Sequence, residues 1–376
     1  LTLFHTVFPR SNNTVYNAEL LITASFFGLG PELGLRLAGN TVQDAFSCID
    51  SRAGYNPAVP LYYRLTDFRY PDKPERLYPT DPNPSHPDRP WHLEVGFGDG
   101  RFWAAHHALE PDTNYLGVEI SGVSVLKARD RYRKVGLQHA ILTRLSAEFV
   151  VRNIIPARSL NRVYVNFPDP WPKARHEDAR LLRPDFLELL STRLAPDGEV
   201  WLTTDHAGYY QFALESAAGT GLYHLTQPSP PAAALETKYA LKWRDLHMPI
   251  HHARLQKRTE SQRIFPPLEV HPMPHAVLHG TLPTNPLEKT VVKSQHHTVI
   301  LLEQYANPDR LIVLARVEEQ NLIQEVLISA SHRDSGEVVV GLESFGGPLI
   351  TAGVKAAVGA VTDWLAQNMT VIRKSY

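Results

Sequence analysis

The chain reads as an α/β protein built on a doubly wound, mostly parallel sheet, with a small α+β domain added at the C-terminal end. Two observations predict this. From residue 91 to about residue 265, short β-rich apolar runs alternate with helical stretches, the pattern of a sheet wrapped by helices on both faces. Acids also recur directly after those runs: Glu119 after YLGV, Asp169 after VYVNFP and Asp205 after EVWLTT. In open α/β sheets ligands bind beyond the carboxyl ends of the strands, where these acids fall.

The elements follow in chain order. At 376 residues and 43% hydrophobic content, the sequence has room for two cores. Residues 1–60 form an N-terminal extension without a recognisable motif, expected to be disordered or weakly helical. The chain starts with Leu1 and has no Met before Met248, so this extension is expected to be translated upstream sequence, with the genuine start near Leu61. Residues 61–90 make a proline-rich arm, with seven prolines from Pro71 to Pro90, a composition that favours extended backbone.

Residues 91–265 carry the main domain. WHLEV (91–95) is a buried strand running into the glycine turn GFGDG (96–100), and residues 102–109 make the first helix. YLGV (115–118) is a second strand ending at Glu119. VYV (163–165) delivers Asn166 and Asp169 into a turn stiffened by Pro168, Pro170 and Pro172. A helix over 186–194 ends at Pro196-Asp197-Gly198, and the strand 199–203 leads to Asp205. PSPPAAAL (228–235) is a loop before Thr237. Residues 266–290 are a second proline-rich linker. Residues 291–376 then show strands at 298–302, 310–316, 322–329 and 338–340. A helix over about 351–367 places Val354, Val358, Val361 and Leu365 on one face.

Composition narrows the function. A single cysteine, Cys48, excludes an internal disulfide framework and a cysteine-rich zinc site. Histidine pairs such as His106-His107 and His251-His252 are adjacent, which suits a helix-face metal site poorly, so no metal is expected. Asn12-Asn13-Thr14 matches a glycosylation sequon only by chance in the absence of a secretory context. The apolar stretch 20–30 is too short to span a bilayer. A cytoplasmic enzyme without membrane attachment is expected, as monomer or homodimer.

Charge points to RNA. The whole chain is near neutral at −1, yet residues 127–183 hold 13 Lys/Arg against 5 Asp/Glu. Such a concentrated basic stretch on a neutral protein is the footprint of phosphate contacts. A second surplus comprises Lys242, Arg244, Arg254, Lys257, Arg258 and Arg263. The C-terminal region from 289 to 376 has 8 basic against 9 acidic residues and shows no such grip.

The chemistry-bearing stretch is VYVNFPDPWPKARHEDARLL (163–182). One carboxylate, Asp169, sits in a rigid turn beside Trp171, with Lys173, Arg175, His176 and Arg180 next to it, an arrangement that suits gripping one base of a nucleic acid. In the glycine turn, Arg101 stands where a dinucleotide fingerprint needs its third glycine, which argues against a nicotinamide dehydrogenase. Glu119 suits the two hydroxyls of a ribose.

LEVGFGDG (93–100), GVEI (117–120), FPDPWPKARH (167–176), Thr204-Asp205 with Tyr209, and Thr237-Lys238-Tyr239 together closely resemble the tRNA (guanine-N(7)-)-methyltransferase family, over roughly residues 62–260. The resemblance implies a Rossmann-like class I methyltransferase sheet, S-adenosyl-L-methionine as methyl donor, and tRNA as partner. The reaction it implies is methylation of N7 of a guanine in the tRNA variable loop. It implies cofactor contacts from Glu94, Gly96, Gly98, Gly100, Glu119, Ile120, Ser146, Ala147 and Asn166. Asp169 is then the catalytic carboxylate, and Lys173, Arg175, His176, Arg180, Asp205, Thr237, Lys238 and Tyr239 contact the substrate.

Three positions depart from the family. Ser146 stands where Asp or Asn usually precedes the alanine, Ala240 replaces the Glu that usually ends T-x-[FY]-E, and Ala179 replaces one of a pair of basic residues. Ala240 supports an alternative reading, a tRNA-binding module with this fold and reduced or lost turnover. Methylation of a different base site is a further alternative, against which the Asp169 inserted between prolines argues.

Overall fold

Apolar residues on alternate positions of the central strands send side chains to both faces of one sheet, and the helices between the strands cover those faces. The computed structural model describes residues 61–68, 89–137, 140–172 and 178–376. The expected N-terminal extension and most of the proline-rich arm lie outside the described residues. In chain order the first part comprises β1 (Leu61–Tyr63), β2 (Trp91–Val95), α1 (Arg101–His106), β3 (Asn114–Val118), α2 (Gly122–Lys134), β4 (Ala140–Thr143), α3 (Ala147–Asn153) and β5 (Leu160–Asn166). It continues with α4 (Pro184–Arg193), β6 (Leu194–Thr204), α5 (Ala207–Thr220), β7 (Tyr223–Thr226), α6 (Ala232–Leu235), α7 (Lys238–Asp245) and β8 (His251–Lys257).

These strands form an eight-stranded sheet in the order β1-β4-β3-β2-β5-β6-β8-β7, parallel except at β8, which runs antiparallel to β6 and β7. All five residues of β3 are buried, as a parallel strand covered on both faces requires. Leu93, Leu116, Val118, Val163 and Val165 face one layer, packed with Phe149, Val150, Phe186, Leu187 and Tyr209 of α3, α4 and α5. Tyr115, Leu142, Tyr164 and Trp201 face the other, against Phe102 and Trp103 of α1, Ala128 and Tyr132 of α2, and Ala233 and Ala234 of α6. Doubly wound α/β architecture is therefore present. The stretch 228–235, expected as a loop, contains the short helix α6, because its alanines fill the space above α1.

The second layer of helices hides polar groups. Glu110 accepts from the Tyr164 hydroxyl at 3.0 Å and pairs with His92 at 3.1 Å, His106 at 3.3 Å and Arg162. Burial pushes the Glu110 carboxyl up, but His106, His92 and Arg162 together hold it well below the usual carboxylate range.

The second part comprises β9 (His275–His279), β10 (Thr290–Lys293), β11 (His297–Asn307), β12 (Arg310–Glu319), β13 (Leu322–His332), β14 (Glu337–Leu342), α8 (Ala352–Leu365) and β15 (Thr370–Ser375). Its seven strands are antiparallel in the order β10-β11-β12-β13-β14-β9-β15. Thr351 caps α8, and Val354, Val358, Val361 and Leu365 bury one helix face against Val299, Leu301, Val313 and Val338. The sheet is larger than the sequence reading suggested. Residues 275–279 were expected within a linker, yet β9 pairs with β14 on one side and β15 on the other. Pro272, Pro274 and Pro283 lie just outside that strand, so none removes a ladder hydrogen bond.

The two sheets share packing. Leu322 and Leu349 of the second part join the hydrophobic core of the first. The Leu268 amide donates to Asn153 Oδ1 at 2.7 Å. Among the described residues no helix is long and apolar enough to cross a membrane, and no His/Cys/Asp/Glu group could hold a metal ion.

Candidate active site

The carboxyl ends of β4, β3, β2, β5 and β6 lie side by side, and the expected residues Gly96, Gly98, Gly100, Glu119, Ile120, Ser146, Asn166, Asp169 and Asp205 lie at or just past them, whereas Arg180, Thr237, Lys238 and Tyr239 come from elsewhere in the chain. Backbone pairing continues past the strand ends: Gly96 N–H donates to Val118 O at 2.8 Å, Glu119 N–H to Thr143 O at 3.1 Å and Phe167 N–H to Thr203 O at 2.7 Å. Neighbouring strands are about 4.8 Å apart, so the exits of β3 and β5 are separated by about 10 Å. Glu119 and the Asp169 loop therefore flank the glycine turn on one edge of one sheet.

Glu94 is 1% exposed at the base of this turn and accepts from the Tyr115 hydroxyl at 2.5 Å. Tyr115 and Tyr132 hydroxyls lie 3.1 Å apart, linking Glu94 to α2. Burial raises the Glu94 carboxyl to about 7, with Tyr115 acting against the rise. Asn166 beside it opposes the rise as well, and its Nδ2 is buried without a partner of full hydrogen-bond geometry. Glu119 uses both oxygens to brace the rim: Oε2 accepts from Gly98 N–H at 3.0 Å and Oε1 from Ser121 N–H at 2.9 Å. A carboxylate has further lone pairs, so acceptor capacity remains for a ligand. Gly96 and Gly98 adopt φ of +69° and +56°, and a Cβ on either would meet nothing within 4 Å. The turn thus presents bare backbone to open space.

These features fit S-adenosylmethionine. A buried acid, an amide with no partner, and a glycine turn facing open space can receive the ammonium and carboxylate of an amino-acid end, and a ribose. Ile120, 69% exposed beyond Glu119, offers apolar surface for a base.

Three expected cofactor residues have other duties. The Gly100 amide is used within the turn, donating to Phe97 O at 3.0 Å, and a Cβ there would lie 2.8 Å from Ala128 and Tyr132. Gly100 serves close packing of α2. Ala147 is buried at 8% exposure in the hydrophobic core, which leaves its side chain no path to a ligand. Ser146 caps α3 by accepting from Phe149 N–H at 3.2 Å, and its hydroxyl donates to Asn321 O at 2.8 Å.

The loop bearing Asp169 leaves β5 through Asn166. Phe167 and Trp171 both have positive φ, 51° and 40°, and such non-glycine residues store about 1–3 kcal/mol of strain each. Arg180 holds the loop: its guanidinium donates to Pro170 O at 3.2 Å and Trp171 O at 3.4 Å, and lies 4.6 Å over the Phe212 ring. Expected along RNA, Arg180 is instead 8% exposed, because those carbonyls and the ring enclose it. Asp169 is exposed at the loop's crest, and Asp205 is half-buried just past β6. Lys173, Arg175 and His176 lie outside the described residues.

On the far side, Thr237 caps α7 by accepting from Ala240 N–H at 3.3 Å and donates to Ala234 O at 2.9 Å. Its hydroxyl is thereby committed to the helix. Lys238 is exposed, and Tyr239, 51% exposed, stands with its ring 6.3 Å from Phe167. Ala240 is fully buried, so its methyl group packs inside the protein.

Sequence reasoning missed Tyr115 and Arg131. Arg131 donates to Asp99 O at 2.9 Å and to Asp99 Oδ2 at 3.1 Å, bracing the glycine turn from α2. Its place in a basic run disguised that task. Tyr115 carried no signal apart from lying two residues before Gly117 in a buried strand.

Comparison with known proteins now bears on this edge. A family profile described as "Putative methyltransferase" matches residues 88–253. A Deinococcus radiodurans protein named tRNA (guanine-N(7)-)-methyltransferase is 49% identical over 83% of this chain and 99% of its own length. The chain belongs to the tRNA (guanine-N(7)-)-methyltransferase family. Proteins of the same name from Thermus thermophilus, 44% identical, and Thermotoga maritima, 29% identical, match 75% and 70% of this chain and 91% and 85% of their own lengths. The family's class I methyltransferase fold agrees with the strand order, the antiparallel β8 included.

Proposed function

We propose that this protein transfers a methyl group from S-adenosylmethionine to N7 of a guanine in the variable loop of tRNA. One observation carries the reading: the glycine turn with Glu94 and Glu119, and the loop bearing Asp169, leave adjacent strands of the same sheet edge. Bound adenosylmethionine supplies an electrophilic methyl on a sulfonium. Glu94 and Asn166, with the backbone of Gly96 and Gly98, would hold its amino-acid end. Glu119 would take the ribose hydroxyls, and Ile120 would support the base.

Guanine N7 carries an exposed lone pair, so the nucleophile needs no deprotonation and the site needs no strong base. The protein's work is orientation, which can lower a barrier by about 7–11 kcal/mol. As the bond to N7 forms and the bond to sulfur breaks, positive charge passes to the purine. Asp169, on a loop clamped by Arg180, hydrogen-bonds the base and stabilises that charge where it develops. Asp205 and Tyr239 border the same space, and Lys238, with Lys173, Arg175 and His176, supplies phosphate contacts.

The alternative of a binding module without turnover rested on Ala240. Its burial makes that alanine a packing residue, and no other observation favours the alternative. Incubation with labelled adenosylmethionine and unmodified tRNA, followed by nucleoside mapping, tests the reading. Label in 7-methylguanosine is expected; retained tRNA binding without label would support the binding module.

A further inference from the structure

The Ser146 hydroxyl, on the rim where the cofactor base would lie, is bonded to a residue 175 positions away. Its acceptor, Asn321 O, sits at the β12–β13 turn, where Asn321 adopts φ of +68°. The turn is seated firmly. Leu322 beside it is 6% exposed and packs in the core of the first sheet. Arg152 of α3 reaches Gln320 Oε1 at 3.3 Å and Pro266 O at 3.0 Å. Glu319 accepts from Gly353 N–H at 2.9 Å, tying the same turn to α8. A cleft of about 200 Å³ opens beside it, lined by Leu65 and Leu145 of the first part and by Leu322, Ile323, Phe345 and Pro348 of the second. Ile323 and Phe345 are 59% and 56% exposed.

Topology fixes which end of a nucleoside meets this seat. A ribose held at the end of β3 by Glu119, with its substituent at the glycine turn after β2, carries its base away from β2. The next strand on that side is β4, whose exit is Leu145-Ser146, joined to Glu119 through the Glu119 N–H to Thr143 O bond. Exposed Ile120 lies on this path.

We infer that the β12–β13 turn of the C-terminal sheet completes the base end of the cofactor site, so that seating of that sheet and affinity for the adenosyl group are coupled. The inference rests on the proposed methyl-donor site. Coupling is reciprocal: loosening the seat weakens the adenosyl group, and the adenosyl group protects the turn. Ser146 then acts through the turn it holds, which accounts for a hydroxyl at a position where the family usually has a carboxylate or amide.

The test uses the full chain, with S-adenosylhomocysteine and methylthioadenosine titrated calorimetrically into wild type, Leu322→Ala and Arg152→Ala. Circular dichroism checks folding, and the Arg152→Ala contact is exposed enough to keep the test open should Leu322→Ala misfold. Affinity for S-adenosylhomocysteine should fall about fivefold or more in Leu322→Ala and by a smaller factor in Arg152→Ala. Methylthioadenosine, which lacks the amino-acid end, should lose the same factor. Amide exchange over 319–325 should slow when S-adenosylhomocysteine binds. Equal affinities in folded variants, or a loss absent with methylthioadenosine, overturn the coupling while leaving the donor site intact. Failure of the wild type to bind S-adenosylhomocysteine overturns the donor site and the coupling with it.

Discussion

Replacing Glu94 by Gln isolates one ionisation at the foot of the glycine turn. The carboxyl is buried against Tyr115, and burial lifts it from 4.5 to about 7. At pH 8, keeping it ionised costs the cofactor-free protein about 3 kcal/mol relative to the unfolded chain, at about 1.4 kcal/mol per pH unit. Because the folded value lies above the unfolded one, its stabilising contribution is complete below 4.5 and is lost as pH rises through 7. Gln keeps an acceptor for the Tyr115 hydroxyl and has no proton to lose. The variant should therefore unfold at higher temperature than wild type at pH 8, with the difference shrinking towards pH 5. The ammonium group of the ligand's amino-acid end reverses the preference, since it selects the ionised carboxylate. S-adenosylhomocysteine affinity in wild type should fall by up to about tenfold per pH unit below 7, and stay flat in Glu94→Gln. Calorimetric titration across that range reads both proteins. Parallel pH profiles, or a variant that binds as tightly as wild type at pH 8, would refute the assignment.

Other substitutions separate the remaining roles. Asp169→Ala should cut kcat by about 100-fold or more while leaving S-adenosylhomocysteine affinity within about twofold; an unchanged rate removes Asp169 from the mechanism. Arg180→Ala should lower both stability, by about 2–3 kcal/mol, and kcat, because two loop carbonyls lose a charged donor. A drop in tRNA affinity at unchanged kcat would instead return Arg180 to the RNA surface. Gly98→Ala should cost about 1–2 kcal/mol in thermal unfolding through its left-handed φ alone, since no atom blocks the new Cβ. Lys238→Ala, Lys173→Ala and Arg175→Ala should each reduce the salt dependence of tRNA binding by about one charge, measured by filter binding across a salt series.

Much of the main sheet could be read from residues because its strands are short apolar runs buried on both faces, as in the wholly buried Asn114–Val118. The placing of Gly96, Gly98, Glu119 and Asp169 at the sheet edge was legible for a related reason: each closely follows a strand end, while Glu94 lies within β2, and what they would do for a ligand came only from the family resemblance. Contacts between distant segments were not legible. The bond from Ser146 to Asn321 O is one such contact, since nothing near Ser146 in sequence announces Asn321. Charge runs misled in the same way. Arg131 braces Asp99, Arg180 clamps the loop, Arg254 lies 4.0 Å over the Trp201 ring, and Lys257 donates to Leu194 O at 2.7 Å. A local charge count treats them all as solvent-facing. Strand β9 hid between prolines, and the edge strand β15, mostly exposed and partly charged, lacks the alternation that marks a half-buried strand.

The central claim is that one guanine N7 is brought to a methyl donor held at the glycine turn. A tRNA carrying 7-deazaguanosine at the target position, which keeps the base but lacks the N7 lone pair, tests it directly against the unmodified transcript. Equal binding of both tRNAs, with labelled methyl entering only the guanosine form, is the predicted result. Label appearing at that position in the deaza tRNA, or elsewhere in both, would contradict the account.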